Sequence, residues 1–299
     1  MVKCHSERAD SMGINKKYKD RLFCLLFGDE KFKANTLALY NAVNGTSYDN
    51  VDDIKIYTID DVIYVDMKND VAFIFDSYLS LWEHQSSLNP NMPLRGLMYF
   101  GKMYDKYIEG NKLNIYGSSL VKIPTPKYVI FYNGEKDAQE IEKLKLSDAF
   151  MEKGTEGEYE WTATMYNLNP GNNDELIQNC KPLKEYMQFV LRIRELLKQN
   201  YPVEDAVDDT VDYCIANNIL ESVLLSHKAE VKDMCITEYN EEIFLNGIRE
   251  EAREEARAEE RITNISAILL KGGSEEQAKM FLDATDDEIK KARDIMAKK

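Results

Sequence analysis

The stretch Asn69-Asp70-Val71-Ala72-Phe73-Ile74-Phe75-Asp76-Ser77-Tyr78-Leu79-Ser80-Leu81-Trp82-Glu83-His84-Gln85 decides how the chain is read. Val71 to Phe75 is a short apolar run bounded by Asn69-Asp70 and Asp76-Ser77, the pattern of a buried strand. Leu79 to Gln85 reads as a second strand, and the short connection predicts an antiparallel hairpin with its turn near Asp76–Tyr78. Successive strand side chains point to opposite faces, so Glu83 and Gln85 share a face and His84 points away. Asp70 sits at the edge of the neighbouring strand, and a hairpin in suitable register brings it to Glu83.

Two carboxylates on adjacent strands match the needs of a hard divalent cation. Mg2+ takes oxygen ligands and keeps several of its waters, often with only one or two protein carboxylates. A cation held there can activate a water and stabilise charge on a phosphodiester. The same pair also reads as two solvated acids on a sheet face. Asp66 and Asp76 are rival carboxylates in the same region. Asp76 suits the turn, where Asp bonds its own backbone; Asp66 stays open as an alternative.

Upstream, Phe23, Leu26 and Phe27 recur at helical spacing, Gly28 interrupts, and Lys33 to Val43 continues as a second helix before the Asn44-Gly45 turn signal. Ile54, Ile56 and Thr58, then Val62 to Val65, look extended. Downstream, Pro90 and Pro93 break the chain, and Leu94 to Ile108 predicts a helix. Tyr128 to Tyr132 is a strand ending at Asn133-Gly134, and Trp161 to Tyr166 reads as another. Helices, a strand meander, a helix and a further strand make an α/β (α+β) pattern: a mixed sheet flanked by helices, with a helical C-terminal region.

Residues 174–236 are mostly helical, with Tyr186, Phe189, Val190, Ile193 and Leu197 as one apolar stripe. From about residue 240 the composition shifts. Glu241 to Arg261 is charge-dense with a narrow apolar seam, expected as a long exposed helix. Gly272-Gly273 ends one helix, and Ser274-Glu275-Glu276-Gln277 and Thr285-Asp286-Asp287-Glu288 are capping-box patterns that start two more. The expected division is a core over 1–170, a helical extension over 171–240 packed on it, and an oligomerisation or regulatory appendage over 241–299.

The 299 residues are 44% hydrophobic, enough for one large domain and a smaller appendage. No run of about eighteen apolar residues appears, so no membrane span is expected. The first twenty residues lack an apolar segment of the secretory kind, and the five cysteines are scattered without a CxxC pair. These features point to a cytoplasmic protein without zinc sites or a disulfide framework. The net charge of −15 argues, taken alone, against a nucleic-acid binder. The acidity is uneven, however: residues 137–160 and 238–260 hold much of it, while Lys102 to Lys136 is close to balanced.

Glu83-His84-Gln85-Ser86, followed by Asn91-Met92-Pro93-Leu94-Arg95, resembles the signature of the Rpn family of recombination-promoting nucleases, PD-(D/E)XK proteins also labelled putative transposases. Lys19-Asp20-Arg21-Leu22-Phe23 with Leu26-Phe27-Gly28 resembles that family's opening helix, and Asn69-Asp70-Val71 its acid-bearing strand. Lys122 to Gly134, with Pro124-Thr125-Pro126 inside it, resembles its next strand, and Lys145 to Phe150 also fits; the likeness covers roughly residues 17–240. It implies a restriction-endonuclease-like core that hydrolyses DNA with Mg2+, for which Mn2+ can substitute, in recombination, mobile-element transfer or defence. By the family pattern Asp70 and Glu83 hold the metal, with the His84 backbone carbonyl as a further ligand. Gln85 stands where the usual lysine would be: a neutral amide can hydrogen-bond a water but brings no charge.

Four further residues are candidates. Asp20 is either a third acidic member or a charge favoured at a helix N-terminus. Arg95 can contact a phosphate or pair with a nearby carboxylate. Tyr132 ends a strand beside the Asn133-Gly134 turn. His84 titrates near neutral pH, but its parity favours packing or hydrogen bonding over acid–base work. The expected partners are DNA and a second copy of the chain through the C-terminal helices. The mixed charge of residues 262–297 makes a poor DNA reader.

Overall fold

The structure, a computed structural model, describes residues 18–57, 70–152 and 158–296. The extended segment expected over 62–65 and the rival Asp66 lie outside the described residues. The chain divides into two compact units, Met1–Glu238 and Tyr239–Lys299.

In the first unit α1 (Tyr18–Gly28) and α2 (Lys33–Asn44) precede β1 (Lys55–Ile56), β2 (Val71–Phe75) and β3 (Tyr78–Gln85). Gly45 closes α2 at φ 63, a left-handed conformation that suits a residue without Cβ. Then come α3 (Met92–Gly110), β4 (Thr125–Tyr132), β5 (Ile141–Lys145) and β6 (Thr162–Asn167). The described strands form one mixed sheet in the order β1-β2-β3-β4-β6-β5, with β3, β4 and β6 mutually parallel. The β2–β3 hairpin turns on Asp76 and Ser77, both at positive φ (44 and 66), the backbone a two-residue hairpin loop requires. Asp76 also accepts a hydrogen bond from the Tyr48 hydroxyl at 2.9 Å.

The sheet is covered on both faces. Phe73, Phe75, His84 and Phe131 meet aromatic rings of α1, α2 and α5 (Lys181–Lys198), including Phe23, Tyr40 and Tyr186, and Trp82 packs edge-on to Phe73 and Phe131 within the sheet. The opposite face carries Ala72, Leu79, Leu81, Tyr128, Ile130 and Tyr132 against Met92, Tyr99, Phe100 and Met103 of α3. The apolar positions at helical spacing over 94–108 (Leu94, Leu97, Met98, Met103, Tyr104 and Ile108) are only in part the face turned toward the sheet. Met92, Gly96, Tyr99, Phe100 and Met103 are buried, while Leu94 and Met98 are exposed. At Gly96 a Cβ would stand 2.5 Å from the Tyr128 ring, so glycine lets α3 lie directly on β4.

The short α4 (Asp174–Asn179) and α6 (Val203–Ala216) complete the helical part that joins α5 in the same unit. The next helix, α7, runs Glu221–Leu270 with a non-helical backbone at His227. It begins well before the expected 241, and no proline follows Pro202 to stop it. In the second unit α8 (Glu275–Leu282) and α9 (Asp286–Met296) pack on the end of α7 through Ile265, Ala278, Ala284, Ile289 and Ala292. Both expected capping boxes are present. The Ser274 hydroxyl accepts from the Gln277 amide while Gln277 accepts from the Ser274 amide, and Thr285 and Glu288 do the same. Among the described residues no helix is long and apolar enough to cross a membrane.

Candidate active site

The β2–β3 register pairs Val71 with Trp82. Carried one residue further, it sets Asp70 across from Glu83. Strand parity then puts Asp70 with Ala72, and Glu83 with Leu81, on the face toward α3. Asp70 acts electrostatically on Tyr99 and Tyr128, the two tyrosines that also feel Glu83. The two acids expected to converge therefore share one neighbourhood.

Glu83 is only 4% exposed, and its carboxylate is surrounded by donors. Oε1 takes the Gln85 amide at 3.0 Å and forms an ion pair with the Arg95 guanidinium at 2.9 Å. Oε2 accepts the Tyr128 hydroxyl at 2.5 Å. Arg95 comes from the first turn of α3, and its Nε and Nη2 also donate to the Tyr99 hydroxyl at 3.1 and 2.8 Å. Of the two roles open to Arg95, pairing with a carboxylate is the one this state displays. Gln85 makes a second contact, with the Met92 sulfur at 2.8 Å.

These contacts oppose each other electrostatically. Burial pushes the Glu83 carboxyl above its usual range, and Arg95, Tyr128 and Gln85 pull it back without cancelling the rise. Burial raises the Tyr99 hydroxyl to about 12, with Arg95 opposing and Glu83 and Asp70 adding to the rise. Burial alone would lower Arg95, but Glu83 and Tyr99 more than offset it, so the guanidinium stays charged.

His84 faces the other way, as parity required. Its Nδ1 lies 2.7 Å from Asp20 Oδ1 and its Nε2 lies 3.0 Å from the Tyr186 hydroxyl. Burial lowers its pKa, with Asp20 opposing, so the ring is neutral near pH 7. In a neutral ring Nδ1–H donates to Asp20, which leaves Nε2 to accept from Tyr186, whose one hydroxyl proton also has the Lys19 carbonyl within reach at 3.2 Å. Asp20 lies in the first turn of α1, which the helix dipole favours, and its carboxylate is spent on His84. It is separated from the Asp70–Glu83 face by the sheet, although its charge still raises Glu83.

Tyr132 is fully buried, and its hydroxyl donates to the Lys136 carbonyl at 2.8 Å, tying the turn after β4. Beside it Arg194 of α5 donates to the Asn133 carbonyl. Tyr132 and Arg194 thus hold the carboxyl end of β4 next to Gln85, its register neighbour across from Tyr132. Asp76 serves the turn, as expected.

No family model matches this chain, no curated protein matches it, and no solved structure matches it.

Tyr128, Tyr99 and Tyr186 are members that sequence reading missed. Tyr99 had a signal, since it follows Arg95 by four residues and so shares its helix face. Tyr128 had a weaker one, being in phase with Tyr132 along β4. Tyr186 was legible as core, but nothing local names a partner for its hydroxyl. Among the described residues no group of three or more His, Cys, Asp or Glu side chains is placed to hold a metal ion.

Proposed function

We propose that this chain is a divalent-metal-dependent DNA endonuclease of the PD-(D/E)XK kind, similar to the Rpn nucleases and acting in recombination or on mobile DNA. What supports the reading is the β2–β3 register: extended one residue beyond the Val71–Trp82 pair, it brings Asp70 level with Glu83, to which Gln85 is bonded. The α–β-hairpin–α–β order around them, with β4 parallel to β3, is consistent with a restriction-endonuclease-like core.

The donor set fits a hard cation. Two carboxylates and the His84 carbonyl are oxygen ligands of the preferred kind, and Mg2+ or Mn2+ fills its remaining positions with water. The Glu83 pocket already accommodates a cationic partner, the Arg95 guanidinium. Bound there, the ion would supply Lewis acidity to a phosphodiester oxygen. The chain's own residues do the rest. Asp70 and Glu83 would hold the ion, and Gln85 orients Glu83 through its amide nitrogen and has its amide oxygen to accept from a water. Arg95 is placed to donate to a phosphate oxygen, which a planar guanidinium does in two-pronged fashion.

A second reading has its own observation. Arg95, Gln85 and Tyr128 together satisfy the Glu83 carboxylate, as a purely structural tie would. On that reading the chain is a nuclease-fold DNA-binding or regulatory protein that does not cut. Plasmid cleavage in Mg2+ and in Mn2+, beside identically purified Asp70→Asn and Glu83→Gln proteins, decides between them. Cleavage by the parent alone supports the nuclease. Equal cleavage by the variants would place the chemistry elsewhere, and no cleavage by any of them favours the binding protein.

We further propose that the second unit mediates self-association. Leu270, Met280 and Phe281 are large apolar side chains left exposed there, at 70%, 77% and 67%. Met280→Ser with Phe281→Ser in the full chain should lower the mass seen by light scattering. An unchanged mass would refute this.

A further inference from the structure

Glu83 and Arg95 form a cation–anion pair at the centre of the proposed metal site, and the pair is held in place from both sides. Tyr128 and Gln85 fix the carboxylate, and the Tyr99 hydroxyl fixes the guanidinium through two of its nitrogens. Any ion reaching Glu83 Oε1 must displace a guanidinium 2.9 Å away. Once displaced, that guanidinium is a partly buried charge, 29% exposed, that gains from a new anion. The reaction itself offers one: the phosphodiester that approaches the same carboxylates.

Resting on the nuclease reading above, we propose that Arg95 is a placeholder that closes the Glu83 site until DNA arrives. It then exchanges the carboxylate for a DNA phosphate and so couples cation binding to DNA binding. The closed state discriminates between ligands by thermodynamics alone. A cation that binds only the open state has its apparent affinity reduced by the open fraction. A phosphate that captures Arg95 raises that fraction, and linkage requires the cation to raise DNA affinity by the same factor. The arrangement keeps the chain from assembling a loaded metal site away from its substrate. Tyr99 is the positioning residue of this device: its ring is packed in the core and its hydroxyl accepts from two nitrogens of Arg95, which favours the closed pose.

The test measures binding, not turnover. Mn2+ affinity is read by calorimetry on the DNA-free full chain, for the parent, Arg95→Met and Tyr99→Phe. Loss of a charge-assisted hydrogen bond corresponds to roughly ten- to a hundredfold in an equilibrium constant. Arg95→Met should therefore bind Mn2+ about tenfold or more tighter than the parent. Tyr99→Phe, which keeps the ion pair and the fold, should shift affinity the same way by a smaller factor. In parallel, anisotropy of a short labelled duplex is read with and without Ca2+. The parent should show cation-enhanced DNA binding, and Arg95→Met should show little.

Unchanged or weaker Mn2+ binding in both variants, while the parent cleaves plasmid, overturns the placeholder and leaves the nuclease standing. A parent that neither binds Mn2+ nor cleaves, with or without DNA, overturns both. Loss of plasmid cleavage in Arg95→Met together with tighter Mn2+ binding is the paired result that the exchange of partners predicts.

Discussion

Two glycines of one helix should respond in opposite directions to the same substitution. Gly96 and Gly101 both lie in α3. Replacing glycine with alanine in a helix interior gains about 1 kcal/mol when the new methyl group meets nothing. At Gly101 no heavy atom lies within 4 Å of the added Cβ, so Gly101→Ala should stabilise the first unit by about 0.5–1 kcal/mol. At Gly96 the Cβ would stand 2.5 and 2.6 Å from Cδ1 and Cε1 of Tyr128 and 3.1 Å from Nε1 of Trp161. The Tyr128 ring cannot easily yield, because it is buried and its hydroxyl is bonded to Glu83. Overpacking costs about 1–3 kcal/mol, and pulling a hydroxyl from a buried carboxylate about 1.5–3 kcal/mol. Set against the helix gain, Gly96→Ala should lose about 1.5–5 kcal/mol.

Urea unfolding followed by tryptophan fluorescence reads this directly, since both tryptophans, Trp82 and Trp161, lie in the first unit. A double-mutant cycle with Tyr128→Phe then separates the clash from the lost hydrogen bond. In that background the Gly96→Ala penalty should shrink by the hydrogen-bond share. If Gly96→Ala proves as stable as Gly101→Ala, the close approach of α3 to β4 is wrong. If its penalty is the same with Tyr128→Phe, the clash does not act through Glu83.

Three other outcomes are expected. Tyr186→Phe removes the donor to His84 Nε2 and leaves a buried ring nitrogen unsatisfied, a loss of about 1–3 kcal/mol by the same fluorescence measurement; no loss would mean the hydroxyl spends its proton on the Lys19 carbonyl 3.2 Å away. Ser77→Gly relieves a left-handed residue in the hairpin turn and should gain about 1 kcal/mol, whereas a loss would contradict the turn geometry. In the second unit the Arg261 guanidinium and the Thr285 amide lower the Glu288 carboxyl from 4.5 to about 2. A depressed acid stabilises the folded form above its unfolded pKa, and that contribution disappears as pH falls through the folded value. Methyl NMR signals of Ile265 and Ile289 should therefore report weakening of the unit as pH drops from about 4.5 to about 2. In Glu288→Gln the acid-linked part should be absent; an identical acid response would assign the effect to other groups.

Local pattern was enough for the hairpin, its turn, the opposed faces of Glu83 and His84, and both C-terminal capping boxes. Each of these depends on residues within a few positions of one another, where the two-residue period of a strand or the four-residue reach of a cap dictates direction. Strand β5 escaped notice for the converse reason. Ile141-Glu142-Lys143-Leu144-Lys145 forms the sheet's outer edge, only half-buried at best, so its alternation carries little apolar signal. The site's polar partners were equally hidden. Glu83 finds Tyr128 across 45 residues and His84 finds Tyr186 across 102, separations at which no periodicity speaks. Sequence left Arg95 a choice between a phosphate and a carboxylate, and Asp20 a choice between the site and the helix dipole. Tertiary packing sets the partners seen in this structure, Glu83 for Arg95 and His84 for Asp20. Gly96 lets α3 settle on β4, which aims Arg95 at Glu83, and α1 lies on the far face, which delivers Asp20 to His84. A buried charge must be answered by whatever group the fold brings within reach, and only the fold determines which group that is.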